Sequence, residues 1–121
     1  VLAFQTDSIR EIILGQPLPR LTPHTITDPA ELRARLSTIR AEGFAESIGG
    51  FEADVHSLAV PLFDALGRCS GGLAVAAPKG RMTDPSRSQI RAALARAGNE
   101  ITTLWGGSLP PAIATLWRAA A

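Results

Sequence analysis

Nucleophile-and-base chemistry in this 121-residue chain would have to come from two histidines, His24 and His56, together with nearby hydroxyls and one thiol. His24 sits in Thr22-Pro-His-Thr25 and reads as a loop histidine bonded to its neighbours. His56 precedes Ser57 in a strand-like run. Adjacent strand residues point to opposite faces, so these two cannot form a nucleophile–base pair. His56 therefore reads as a half-exposed strand residue. A small enzyme acting on an organic acid through Ser57 and His24 is an alternative, and it requires the two side chains within hydrogen-bond reach, about 3 Å. Cys69 follows a turn with no basic partner beside it and reads as a packed or edge thiol. With no second cysteine and no histidine pair at ligand spacing, neither a metal nor a cofactor is expected. The glycine pairs in Ile48-Gly-Gly-Phe51 and Ser70-Gly-Gly-Leu73 do not open helices. They read as a loop and as a bulge or close backbone approach, not as phosphate cradles.

The small side chains are more informative. Val55, Ser57 and Ala59 alternate along one strand-like run, and Ala74 and Ala76 along the next. Antiparallel pairing would set these two groups side by side. Serine and alanine cannot fill a core by themselves. Either a helix lies unusually close to this face, or a ligand fills the gap.

The elements that would carry these residues follow from caps and spacing. Residues 1–4 read as the tail of a helix. Asp7 is the expected cap of a short helix whose apolar face is Ile9, Ile12, Ile13 and Leu14, ended by Gly15 and Pro17. After a proline-bearing loop over 18–27, Asp28, Pro29 and Glu31 predict a capped helix with a capping box. Leu32, Leu36 and Ile39 share one face of it, and Gly43 closes it. Apolar runs over 44–48, 55–63 and 73–78 predict three strands, the last two joined by an Asp- and Gly-bearing turn over 64–68 into an antiparallel hairpin. A long helix starts at Asp84-Pro85, with a stripe of Ile90, Leu94, Ala97, Ile101 and Leu104, and Gly106-Gly107 stops it. Pro110-Pro111 opens a helical tail. Trp105 and Trp117 serve either the core of this domain or subunit contacts.

Twelve basic and eleven acidic residues give a net charge of +1, which is no footprint for nucleic acid or an anionic membrane. No run approaches the roughly 18 apolar residues that a membrane span needs. A single cysteine builds no disulfide within the chain, and a reducing cytoplasm is the plain reading. The first residues carry no initiator methionine, so residues upstream are expected.

Several segments, in order, resemble the effector-binding domain of the IclR family of bacterial transcription regulators. Val1-Leu-Ala-Phe4 looks like the end of that family's helix after a Gly-rich turn. Thr22-Pro-His-Thr-Ile-Thr-Asp-Pro-Ala-Glu-Leu32 is similar to its T-x-x-T-x-T loop and helix start. Ile39-Arg-Ala-Glu-Gly-Phe-Ala45 resembles I-R-x-x-G-Y-A, and Ser57-Leu-Ala-Val-Pro-Leu-Phe-Asp64 with Gly67 resembles I-A-A-P-V-F-D-x-x-G. Ala77-Pro78, Arg81 and Thr83 look like the stretch before its last helix.

The resemblance implies an α+β, GAF/profilin-like sensor domain with a curved antiparallel sheet flanked by helices. It implies that residues 1–121 are a partial effector-binding domain, with 108–121 as a C-terminal tail helix. The winged helix-turn-helix and the first strands of the domain are expected to lie outside them. The implied ligand is a small organic acid against the sheet, at Ser47, Val55, Ser57, Ala74 and Ala76. Ser47 stands where many relatives have Asp, and Ala74 and Ala76 where some have hydroxyls. Fewer hydroxyls predict a more apolar or bulkier effector than a short keto acid, with Ser57 as its main polar contact. A dimer or tetramer is implied, with DNA contacted only through the absent domain, and no enzyme activity. A purely structural oligomerisation domain is the other alternative, and it would cover Ser57, Ala74 and Ala76 with a helix.

Overall fold

A computed structural model of the chain describes residues 1–120; Ala121, the last residue of the expected tail helix, lies outside them. The alternating run Val55–Phe63 forms the central strand, β2, of a three-stranded antiparallel sheet. Ala45–Ile48 (β1) and Cys69–Pro78 (β3) flank it, in the order β1-β2-β3. The hairpin turn is held by Asp64, whose Oδ1 accepts from the Leu66 and Arg68 amides, both at 2.9 Å. Strand β3 starts four residues before the expected Leu73. Gly71 and Gly72 pair with Leu62 and Pro61, beside a register shift at Leu62/Phe63. Cross-strand pairing overrides the poor strand propensity of glycine here.

Four α-helices accompany the sheet: α1 (Asp7–Leu14), α2 (Pro29–Glu42), α3 (Asp84–Leu104) and α4 (Pro111–Ala120). Residues Leu2–Phe4 form a single 3-10 turn instead of a helix tail. The cap of α1 is Thr6, whose hydroxyl accepts from the Ile9 amide, and Asp7 is its first helical residue. Asp28 caps α2 by accepting from the Ala30 and Glu31 amides. The full reciprocal box forms at α3 instead, between Thr83 and Ser86, one residue before the expected Asp84. A hydroxyl at the cap and another at the third helical position satisfy both free amides there. Gly43 ends α2 at φ +75°, a conformation in which any side chain would be strained.

The main core lies between the sheet and the α3/α4 pair. Leu58, Val60, Phe63, Leu94, Ile113 and Trp117 are buried in it. One close contact in it is at Gly98, where a Cβ would stand 3.0 Å from the Trp117 ring. The line of α3 that is buried runs through Leu94, Ala95, Gly98 and Thr102, whereas Leu104 of the expected stripe is 84% exposed. The two tryptophans part company: Trp117 is core, and Trp105 is exposed with its ring against Gly71.

A second cluster joins Ala3, Leu14 and Leu36, with Leu32 and Ile39 packed on it. The shared face expected for α2 is thus used, but only Leu14 of the apolar set on α1 is buried. Ile9, Ile12 and Ile13 are exposed, because α1 packs on α2 through one edge only. Among the described residues no helix is long and apolar enough to cross a membrane.

Candidate functional site

Strict alternation along β2 sorts its residues by face. His56, Leu58 and Val60 are buried toward α3, and Val55, Ser57 and Ala59 turn the other way. Register then aligns small side chains in rows across the sheet. Ser47, Ser57 and Ala76 form one row, and Ala45, Ala59 and Ala74 the next. Val55 stands opposite Pro78 at the end of the same face. All five residues of the expected site therefore share one sheet face. Ser47, Val55 and Ser57 are half-buried, and Ala74 and Ala76 are exposed. Among the described residues no helix covers those two alanines, whereas the purely structural alternative would require one.

One end of the face is bounded by a pinned loop. The Thr22 hydroxyl donates to the Gly49 carbonyl, and the Thr25 hydroxyl to the Gly50 carbonyl at 2.6 Å. These bonds hold the 22–27 loop to the turn after β1. Between that loop, α2 and the free edge of β1 lies a cavity of about 490 Å³. His24, Leu32, Arg35, Ser47 and Phe51 line it. Ser47 thus stands where the sheet face meets the cavity. Arg35 supplies a cation there that the sequence reading did not single out. Only the tertiary fold brings Arg35 of α2 and Ser47 of β1 to one cavity.

The chemistry available is recognition. The Ser47 and Ser57 hydroxyls can donate to a carboxylate, the alanines leave volume for an apolar body, and the cavity wall carries the Arg35 guanidinium beside the Glu31 and Glu46 carboxylates. The Ser57–His24 pair of the enzymatic alternative does not form among the described residues. His24 is an exposed loop residue whose amide donates to the Thr22 hydroxyl. Cys69 is a partly buried thiol at the start of β3 that donates to the Gly71 carbonyl.

His56 departs from its expected half-exposure: it is 6% exposed, on the core face. Its Nε2 lies 3.3 Å from Glu46 Oε2 but off the hydrogen-bonding direction, and it has no hydrogen-bond partner. Glu46 instead takes two bonds from Arg87, at 2.9 and 3.0 Å, and Arg87 also reaches Asp84. The Glu46 hydrogen bonds are the main cause that raises the Arg87 pKa above its already high ordinary value. The Glu46–Arg87 bonds clamp β1 to the first turn of α3. Glu46 and Arg87 are 41 residues apart, and no local pattern links them.

An α+β scaffold with small side chains on one open sheet face is suited to recognising a small molecule. The comparisons agree. The family model described as "Bacterial transcriptional regulator IclR C-terminal" matches residues 1–103. The chain belongs to this family and corresponds to its effector-binding C-terminal domain, which has a GAF-like fold. It is 32% identical over 94 residues to the HTH-type transcriptional regulator BhcR of Paracoccus denitrificans, covering 78% of this chain and 34% of that protein. It is 29% identical over 100 residues to the regulator KdgR of Dickeya chrysanthemi, covering 83% and 33%. The chain thus spans about a third of the length of these relatives. Among solved structures, a putative regulator of the same family from Silicibacter sp. TM1040 is 47% identical with a TM-score of 0.89, covering 93% of this chain and 44% of that one. An IclR homologue from Microbacterium hydrocarbonoxydans, solved in complex with 4-hydroxybenzoate, is 29% identical with a TM-score of 0.70, covering 98% and 42%.

Proposed function

We propose that this chain senses an organic acid held against the face formed by Ser47, Val55, Ser57, Ala74 and Ala76. The observation that carries the reading is the aligned row Ser47–Ser57–Ala76 on a face that the helices among the described residues leave open. Hydroxyls at two of the three positions suit a carboxylate, and the alanines suit an apolar body. An aromatic acid fits this better than a short keto acid, and the 4-hydroxybenzoate complex of the Microbacterium relative supports that class. The acid biases the arrangement of subunits in a homodimer or tetramer, by as much as its affinity differs between the two arrangements. DNA is then bound or released through a winged helix-turn-helix domain outside residues 1–121, in the cytoplasm. The chain's role is binding, without catalysis.

Native mass spectrometry of the intact protein taken from cells, followed by titration with aromatic and short keto acids, tests the reading. A retained small acid, or saturable binding of aromatic acids, is expected. Tight binding of short keto acids with none of aromatic acids would overturn the ligand class. Absence of binding by any acid would overturn the sensor reading itself.

A further inference from the structure

A second cavity, of about 510 Å³, lies away from the small-residue sheet face, between α3, α4 and the connection joining them. Arg96 and Asn99 line it from α3, Ser108 and Leu109 from the connection, and Trp117 and Arg118 from α4. Its floor is fixed. Trp117 is 4% exposed, its Nε1 donates to the Gly43 carbonyl at 3.0 Å, and its ring lies on Gly98. The walls carry charge without a counter-charge. Arg10, Arg33, Arg68 and Arg87 each pair with a carboxylate. Among the described residues Arg96 and Arg118 have none within ion-pair distance, as is also true of Arg20, Arg35, Arg40, Arg81 and Arg91, and Arg118 reaches only the Thr115 hydroxyl at 3.3 Å. Glu100, one turn along from Arg96, does not pair with it. The α4 wall lies past residue 103, where the match to the family model ends.

We propose that this groove is a second ligand site, which takes a small aromatic carboxylate. Two guanidiniums on opposing helices recognise the carboxylate, and the Leu109 and Trp117 side chains receive the ring. A volume of this size suits a small molecule, and a floor anchored at Gly43 and Gly98 needs no rearrangement to receive one. The groove is independent of the sheet face, so it stands or falls separately from the sensor reading.

The test is an NMR titration of the intact protein with 4-fluorobenzoate, followed at the Asn99 and Ser108 amides and the Trp117 indole. Saturable shifts at these three positions are expected. The R96Q/R118Q double variant alters two exposed side chains, so it should keep the fold. It should weaken this binding at least tenfold while leaving shifts at Ser57 and Ala76 unchanged. The uncharged 4-fluorobenzamide should bind at least tenfold more weakly than the acid. Equal binding by the variant or the amide, or no saturable shift at the groove, would overturn the site. Shifts that grow with protein concentration alone would assign the groove to a second copy of the chain, and would overturn it as well.

Discussion

Ser47 and Ser57 stand directly opposite each other on neighbouring strands, and Ala76 continues their row on the far side of β2. Two hydroxyls and a methyl group line up only because the strands pair in this register; a slip of one residue would send all three to the other face. On the proposed reading, replacing Ser57 with Ala removes a hydrogen bond to the bound carboxylate and little else. A bond of this kind contributes about 1–2 kcal/mol, so acid affinity should fall roughly 5- to 30-fold. Thermal unfolding should stay within a few degrees of the parent. Calorimetric titration beside a melting curve checks both halves.

Trp117 joins α4 to the end of α2. A phenylalanine at this position keeps the ring but loses the donor to the buried Gly43 carbonyl. An acceptor left alone in the interior costs about 1–3 kcal/mol. Denaturant unfolding of Trp117→Phe should show a loss in that range, and Trp117→Ala a larger one of about 3–5 kcal/mol from the cavity it opens.

Gly98 lies within a helix, where alanine ordinarily stabilises by up to about 1 kcal/mol. Its neighbours reverse the sign. A methyl group there meets the Trp117 ring at 3.0 Å and Val60 Cγ2 at 3.1 Å, and both residues are core. Overpacking of this sort costs about 1–3 kcal/mol. Gly98→Ala should therefore lower the unfolding midpoint, whereas alanine at the exposed Ser88 of the same helix should not.

The hairpin turn should be sensitive to acid in a defined direction. The Arg68 amide, first among several donors that include the Leu66 amide and the Arg68 guanidinium, holds the Asp64 carboxyl below its ordinary pKa. The folded pKa is the lower one, so the stabilisation is complete above the unfolded value. It fades as pH falls through the depressed folded value. Protection of the Leu66 and Arg68 amides against hydrogen exchange should persist through the ordinary aspartate range and drop only below it. In Asp64→Asn that dependence should vanish.

Much of this arrangement was legible in the residues because it is local. The β2 boundaries, the Asp64 turn and the Gly43 terminus each rest on a few adjacent side chains. So does the alternation that puts Ser57 and Ala76 on a common face. What was not legible depends on distant parts of the chain. His56 is buried because its face of β2 packs toward α3, with Glu46 beside it. Strand β3 runs through Gly71 and Gly72 because Leu62 and Pro61 lie beside them. The exposed side of α1 looked like a core face because spacing alone cannot say whether a neighbour is there to meet it. Arg35 shares a cavity with Ser47 through the tertiary fold, which leaves no trace in spacing.

The most direct test of the account fills the sheet face. Ala74→Leu/Ala76→Leu adds bulk at two exposed positions, where stability should change by less than about 1 kcal/mol. Titration of the intact protein with an aromatic acid, reading Ser47 and Ser57 by NMR, should show saturable binding in the parent and at least a tenfold loss in the double variant. Undiminished affinity in a folded double variant would contradict the claim that the acid occupies the space above these alanines.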